Sequence, residues 1–123
     1  MQLQQKKIEI GTSQLRAASF LIERFEVPAD LSSLVIKLAV PEYPIDVLLV
    51  YDSAFNLRAE FRSICNKTRF VISQDEMLTS KGAKHGRIHS GEWIIAIQLD
   101  ESLIQDIWGC QYTIEGYTDE VLY

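Results

Sequence analysis

Two features are scarce in this 123-residue chain, cysteine and long apolar runs. The two cysteines, Cys65 and Cys110, are far apart and form no metal-binding doublet, so we expect buried thiols, not a disulfide. No apolar run approaches the length of a membrane span, and MQLQQKKIEI lacks the apolar core and cleavage site of a signal peptide. We therefore expect a cytoplasmic protein that does not associate with membranes.

The sequence also lacks familiar signatures of catalysis and of nucleic-acid binding. It contains no G-x-S-x-G motif, no P-loop and no dinucleotide-binding loop. Its net charge of −5, with basic residues scattered along the chain, repels a phosphate backbone. We therefore predict a protein that is not an enzyme, requires no cofactor and does not bind nucleic acid.

What the sequence has in abundance is short segments in which apolar and polar residues alternate. Alternation with a period of two indicates half-buried strands, because successive side chains of a strand point to opposite faces. Such segments occur at 34–40, 45–51, 57–62, 70–72, 93–99 and 110–114, and Ile8 and Ile10 suggest one more. Turn signals separate them at 27–33, 41–44, 51–56 and 80–86.

This pattern predicts an all-β fold, namely an antiparallel, jelly-roll-like β-sandwich of about 7–9 strands. We expect a single domain over residues 1–123, with residues 1–14 either loose or forming an edge strand. Within SFLIERFEV the apolar residues change from even positions (Phe20, Ile22) to odd positions (Phe25, Val27), which predicts a β-bulge near Glu23 and Arg24. The segment DESLIQDIW has helical spacing, which is typical of a short helix or a loop.

The stretch HGRIHSGEW contains His85 and His89, a residue type that binds transition metals. Glycines interrupt any helix here, and in an extended chain residues four apart lie about 13 Å from each other. A third ligand at a recognised spacing is missing from the sequence. We therefore predict no metal site and interpret both histidines as solvated loop residues, with a metal-dependent enzyme as the weaker alternative.

Aromatic residues offer a second kind of site. Trp93 opens an apolar strand and is predicted to lie in the core. Tyr43, Trp108 and Tyr117 fall in or near connections, where aromatic rings can stack on a sugar or anchor a partner protein. They are the candidate ligand-binding residues, and the alternative is that Trp108 belongs to a lid packed over the end of the sandwich.

Several motifs occur in a recognisable order: FEVPADLSSLVIKLAV, IDVLLVYDSAFNLRAEFR, RFVIS, GRIHSGEWIIAI and CQYTIEGY. From residue 25 to about 117 the chain thereby resembles the N-terminal β-sandwich of the CehA/McbA-type PHP-domain metallohydrolases. The positions that match the family pattern are Asp46, Asp52, Gly91 and Trp93. The catalytic histidines and acids of the family have no counterpart here, so the resemblance implies a stand-alone accessory domain.

Three functional hypotheses follow. The first is a non-catalytic accessory or interaction module that binds a protein partner, such as a PHP-type metal-dependent phosphoesterase, or forms a homodimer through an apolar sheet face. The residues expected on that face are Leu48 and Val50 beside Ile94 and Ala96. The alternatives are a small-ligand or carbohydrate-binding jelly roll and the metal-dependent enzyme.

Overall fold

A computed structural model describes residues 2–11, 21–39, 45–64, 67–99 and 107–118. These residues form eight β-strands, and none of them is helical. The strands are β1 (Gln2–Gly11), β2 (Leu21–Val27), β3 (Ser33–Ala39), β4 (Ile45–Tyr51), β5 (Leu57–Ile64), β6 (Lys67–Ser73), β7 (Gly91–Leu99) and β8 (Ile107–Tyr117). The predicted all-β class is confirmed, and the N-terminal segment forms an edge strand.

The strands build two antiparallel four-stranded sheets that pack face to face. The first sheet has the order β1-β8-β3-β6 and the second the order β2-β7-β4-β5. Apart from the β4–β5 hairpin, each successive strand crosses to the other sheet, which is the connectivity of a jelly roll. The register places the connections 28–32, 52–56 and 74–90 together at one end, which we call the lower end.

The position of the β-bulge differs from the prediction. Strand β2 pairs with β7 without interruption from Leu21 to Val27, so no bulge occurs at Glu23 and Arg24. The parity changes because Ile22 lies on the outer face and is 47% exposed, whereas the later apolar residues of β2 are buried. The irregularity instead falls in β4, where the register against β7 shifts between Ile45 and Val47.

The bulge in β4 also decides which of its side chains face the core. Ile45, Leu48 and Val50 belong to the core cluster. The prediction that Leu48 and Val50 lie on an outer apolar patch is wrong, since an extra residue in a strand reverses the side to which the following residues point. The outer face of β4 carries Val47, Leu49 and Tyr51 instead.

Different contacts close the two lateral edges of the sandwich. On one side the Tyr112 hydroxyl donates to Glu23 Oε1 at 2.8 Å and accepts from Gln4 Nε2 at 2.6 Å, which ties β8 and β1 to β2. On the other side the rings of Phe61 and Phe70 stack with centroids 3.9 Å apart. The two sheets are thus joined by a polar contact on one flank and an apolar contact on the other.

The long β6–β7 connection covers strand edges that would otherwise be open. Near its start, Ser80 bonds to both backbone groups of Val71, at the edge of the first sheet. Further along, the Glu60 amide donates to the Gly82 carbonyl at 2.9 Å, at the edge of the second sheet. Covered edges leave fewer free backbone groups for pairing with another chain.

Three further expectations concern the predicted helical segment, the cysteines and membrane spans. The predicted helical segment lies mostly outside the described residues, but its last residues, Ile107 and Trp108, belong to β8, so this strand begins before Cys110. Cys110 is a buried free thiol, while Cys65 lies outside the described residues. Within the described ranges, no helix long and apolar enough to cross a membrane occurs.

Candidate functional site

Asp52 organises the tight turn between β4 and β5 at the lower end. Its carboxylate accepts hydrogen bonds from the backbone amides of Ala54 at 2.9 Å and Asn56 at 3.0 Å, and from the Asn56 side chain at 3.2 Å. Only 1% of Asp52 is exposed. Burial raises the pKa of this carboxyl, but the hydrogen bonds from Asn56 and Ala54 and the charge of Arg58 together outweigh burial and lower it.

Arg58 follows the turn and lies at a β-bulge. Tyr51 pairs with Leu57 while Val50 pairs with Ala59, so Arg58 is the extra residue. A bulge can redirect a side chain, and here the guanidinium lies 5.4 Å from the centroid of the buried Trp93 ring. Although its neighbours Glu60 and Arg62 in β5 are exposed, Arg58 is buried and only 6% exposed.

The guanidinium of Arg58 holds the loop that precedes β7. It donates to the carbonyl oxygens of Arg87 at 2.7 Å, Gly86 at 3.1 Å and Lys84 at 3.3 Å. Its Nη1 also lies 3.5 Å from Asp52 Oδ2. Burial lowers the pKa of the Arg58 guanidinium and Asp52 partly offsets that effect; the group nonetheless remains charged, because arginine is effectively always protonated in proteins.

Trp93 and Gly91 fix the end of the same loop. Trp93 is fully buried, and its indole N–H donates to the His89 carbonyl at 2.8 Å. Gly91 has φ +116°, and a Cβ there would lie 2.9 Å from the Cβ of Ser53. Three residues before Gly91, Ile88 inserts into the core. The core assignment of Trp93 is confirmed.

An open pocket of about 370 Å³ lies over this framework. It is lined by Asp52, Asn56, Leu57, Arg58, Lys84, His85, Gly86, Arg87 and His89. Since the loop carbonyls turn inward to Arg58, the side chains of Lys84, His85 and Arg87 are left exposed, and His89 is half-buried. The buried Asp52 and Arg58 form the floor, and the rim is basic.

The two histidines do line one pocket, because the loop is folded and not extended. Among the described residues, however, no group of three or more His, Cys, Asp or Glu side chains could hold a metal ion. That His85 and His89 hold no metal ion stays a prediction.

Two of the three aromatic candidates, Trp108 and Tyr117, belong to the same strand. Trp108 and Tyr117 lie near opposite ends of β8, about 30 Å apart at the usual rise per residue of a strand. The Tyr117 hydroxyl donates to Glu115 Oε1 at 3.0 Å on the outer face of the first sheet. Tyr43 and the side chain of Trp108 lie outside the described part. Trp108 and Tyr117 are too far apart to contact one small ligand.

Of the four positions that match the family pattern, three lie close together in the fold and one lies apart from them. Asp52, Gly91 and Trp93 lie at the lower end, where Asp52 holds the 52–56 turn, Trp93 holds the 84–91 loop, and Gly91 lies close to Ser53 of the turn. Asp46 is exposed near the start of β4, at the opposite end. The residue that sequence analysis missed is Arg58, which links Asp52 to Trp93, and a single arginine within a regularly alternating strand gave no signal of burial.

The outer face of the second sheet forms a separate surface with apolar residues at its centre. Ile22, Ala96 and Leu49 lie side by side in one register row, and Ile94 and Tyr51 lie in the next. Exposed ion pairs border this apolar face: Arg24 with Glu92 at 3.0 Å and Arg62 with Glu60 at 3.3 Å. Ile22 is the most exposed member.

No protein-family model matches the chain, and no curated protein is similar to it at a significant level.

Proposed function

We propose that this protein is a non-enzymatic jelly-roll module that functions by association, and that the apolar face of Ile22, Leu49, Tyr51, Ile94 and Ala96 is its binding surface. The observation that carries the proposal is the continuity of this face across three neighbouring strands. Solvent reaches Ile22, Leu49, Tyr51 and Ile94 in the isolated chain, so covering them with a partner removes apolar area from water.

The partner that we propose for this face is a second copy of the chain. A two-fold axis that runs parallel to the strands between two such faces places β2 of one copy over β5 of the other. Arg24, on β2 of one copy, then lies on the same side of the interface as Glu60, on β5 of the second copy. Charges of both signs on opposite borders of one apolar face favour such a self-complementary interface.

The polar residues at the lower end support a non-enzymatic role. Asp52 is occupied by the 52–56 turn, and the guanidinium of Arg58 is occupied by three carbonyls and Asp52. Groups committed in this way stabilise loops and are poorly suited to move protons. This agrees with the accessory role that the resemblance to PHP-associated sandwiches implies, and a PHP-type hydrolase is the alternative partner for the same face.

Sedimentation velocity over a wide range of protein concentrations tests the proposal. We expect a reversible dimer that Ile22→Glu and Leu49→Glu each convert to monomer, because a charge would be buried in an apolar interface. Ala39→Glu, an exposed position on the first sheet, is the matched control and should leave the dimer intact. A wild-type chain that stays monomeric throughout contradicts self-association, and binding of a purified PHP-type hydrolase would then test the alternative partner.

A further inference from the structure

Among the cationic side chains that the structure describes, those without a partner lie in one stretch of the chain. Elsewhere the cations whose side chains the structure describes contact other groups: Lys6, Lys7, Arg24, Lys37, Arg58, Arg62 and Arg69. Within the described residues, the cations whose side chains make no hydrogen bond or ion pair are Lys81, Lys84 and Arg87. Two of these three, Lys84 and Arg87, line the pocket at the lower end.

The reason for this distribution lies in Arg58. Its guanidinium binds the carbonyls of Lys84, Gly86 and Arg87, which turns the backbone of this loop inward. The side chains of Lys84 and Arg87 are therefore directed away from the buried framework and remain exposed. The pocket wall is held by buried contacts, so these cations are displayed on a fixed backbone.

The charge around the pocket is opposite in sign to that of the whole molecule. The chain carries a net charge of −5, yet the pocket is lined by Lys84, Arg87 and both histidines of the sequence. The lining carboxylate, Asp52, is buried and paired with Arg58. A positive site on an acidic protein attracts small anions and, because the remaining surface repels them, excludes extended polyanions.

We infer that this pocket binds a small organic anion through phosphate or carboxylate oxygens. Arg87 offers paired N–H donors for such oxygens and Lys84 offers a compact charge, while His85 and His89 add ring donors. The volume of about 370 Å³ falls in the usual range for small-molecule sites and exceeds what a bare phosphate fills. Leu57 supplies an apolar wall for an organic part of the ligand.

Isothermal titration calorimetry of the intact chain with inorganic phosphate, glycerol phosphate, citrate and glucose tests this site. We expect heat of binding with at least one anion, and none with glucose. The variant Lys84→Gln/Arg87→Gln should raise the dissociation constant at least tenfold. The control, Lys7→Gln/Lys37→Gln, removes the same charge from the outer face of the first sheet and should change the constant less than twofold.

Each result bears on the inference. Preference for glycerol phosphate or for citrate identifies phosphate or carboxylate as the ligand group, and either supports the site. Absence of anion binding at millimolar concentration, equal weakening in the control, or binding of glucose alone would overturn it. Sedimentation of Lys84→Gln/Arg87→Gln should match that of the wild type, so this inference and the proposed dimer fail independently.

Discussion

The guanidinium of Arg58 lies 5.4 Å from the centre of the Trp93 ring and closes the lower end of the sandwich. Stacking of a cation on tryptophan contributes more when both groups are desolvated, and here the ring is fully buried. The same guanidinium holds three loop carbonyls and faces Asp52. Arg58 therefore joins the core, the 52–56 turn and the 84–91 loop.

We predict that Arg58→Met lowers the free energy of unfolding by about 3–5 kcal/mol, because it leaves a buried carboxylate without its cation. Arg58→Lys keeps the charge but loses the forked donor geometry, and should cost about 1–3 kcal/mol. Urea denaturation followed by tryptophan fluorescence measures both. The exposed Arg62→Lys is the control, expected within about 0.5 kcal/mol of wild type; a similar loss there would refute a special role for Arg58.

Lowering the pH should reduce the free energy of unfolding, because Asp52 becomes protonated. Its pKa is lowered in the folded state, so its contribution to stability is complete above the unfolded-state value, about 3.9, and disappears as the pH falls through the folded-state value. Asp52→Asn should be less stable than wild type by about 1–3 kcal/mol at pH 7. That difference should shrink below about pH 4.

Urea denaturation at pH values from 7 to 2 measures this convergence. Asp46→Asn, which removes an exposed carboxylate at the opposite end, should parallel the wild type over the whole range. A gap between wild type and Asp52→Asn that stays constant into strong acid would show that the carboxylate charge has no part in holding the turn.

Much of the fold is predictable from the sequence because burial imposes a period of two on strands. Leu34, Ile36 and Leu38 face the core as their alternation indicates. The failures concern bulges. The bulge predicted in β2 does not occur, because the apolar Ile22 lies on the outer face. The bulges in β4 and at Arg58 give no signal in the sequence, because a bulge changes the side to which later residues point without requiring a distinctive residue type.

The site was less predictable, for a related reason. His85 and His89 stand out by residue type, but the framework beneath them depends on Arg58, whose hydrogen-bond partners in the loop are 26 to 29 positions away. Those loop partners are backbone carbonyls, which every residue possesses. No pattern of side chains along the sequence encodes such a contact, although the Asp52 turn itself is marked by its composition.

Replacing Gly91 by a larger residue should destabilise the protein for two reasons, the backbone conformation at this position and the lack of room for a side chain. With φ at +116° an L side chain is strained, and a new Cβ would lie 2.9 Å from the Cβ of Ser53. We predict that Gly91→Ala lowers the free energy of unfolding by about 1–3 kcal/mol. Adding Ser53→Gly should restore part of this loss, by removing the close contact but not the strained φ.

Thermal and urea denaturation of both single variants and the double variant give the coupling energy. Ser90→Ala, at an exposed neighbouring position, provides the baseline. Full recovery in the double variant would assign the whole effect to the contact with Ser53, and no recovery would assign it to the backbone alone. A Gly91→Ala protein as stable as wild type would contradict the prediction.

The Cys110 thiol should not react with a disulfide reagent until the protein unfolds. It is 3% exposed and faces the core, and burial raises its pKa to about 11. The thiolate is the reactive form of cysteine, so at pH 8 both access and ionisation oppose reaction. In a Cys65→Ser background, we expect a disulfide reagent to label Cys110 at a rate that follows global unfolding. Rapid labelling in the absence of urea, with the native circular dichroism spectrum retained, would contradict the buried position of this thiol.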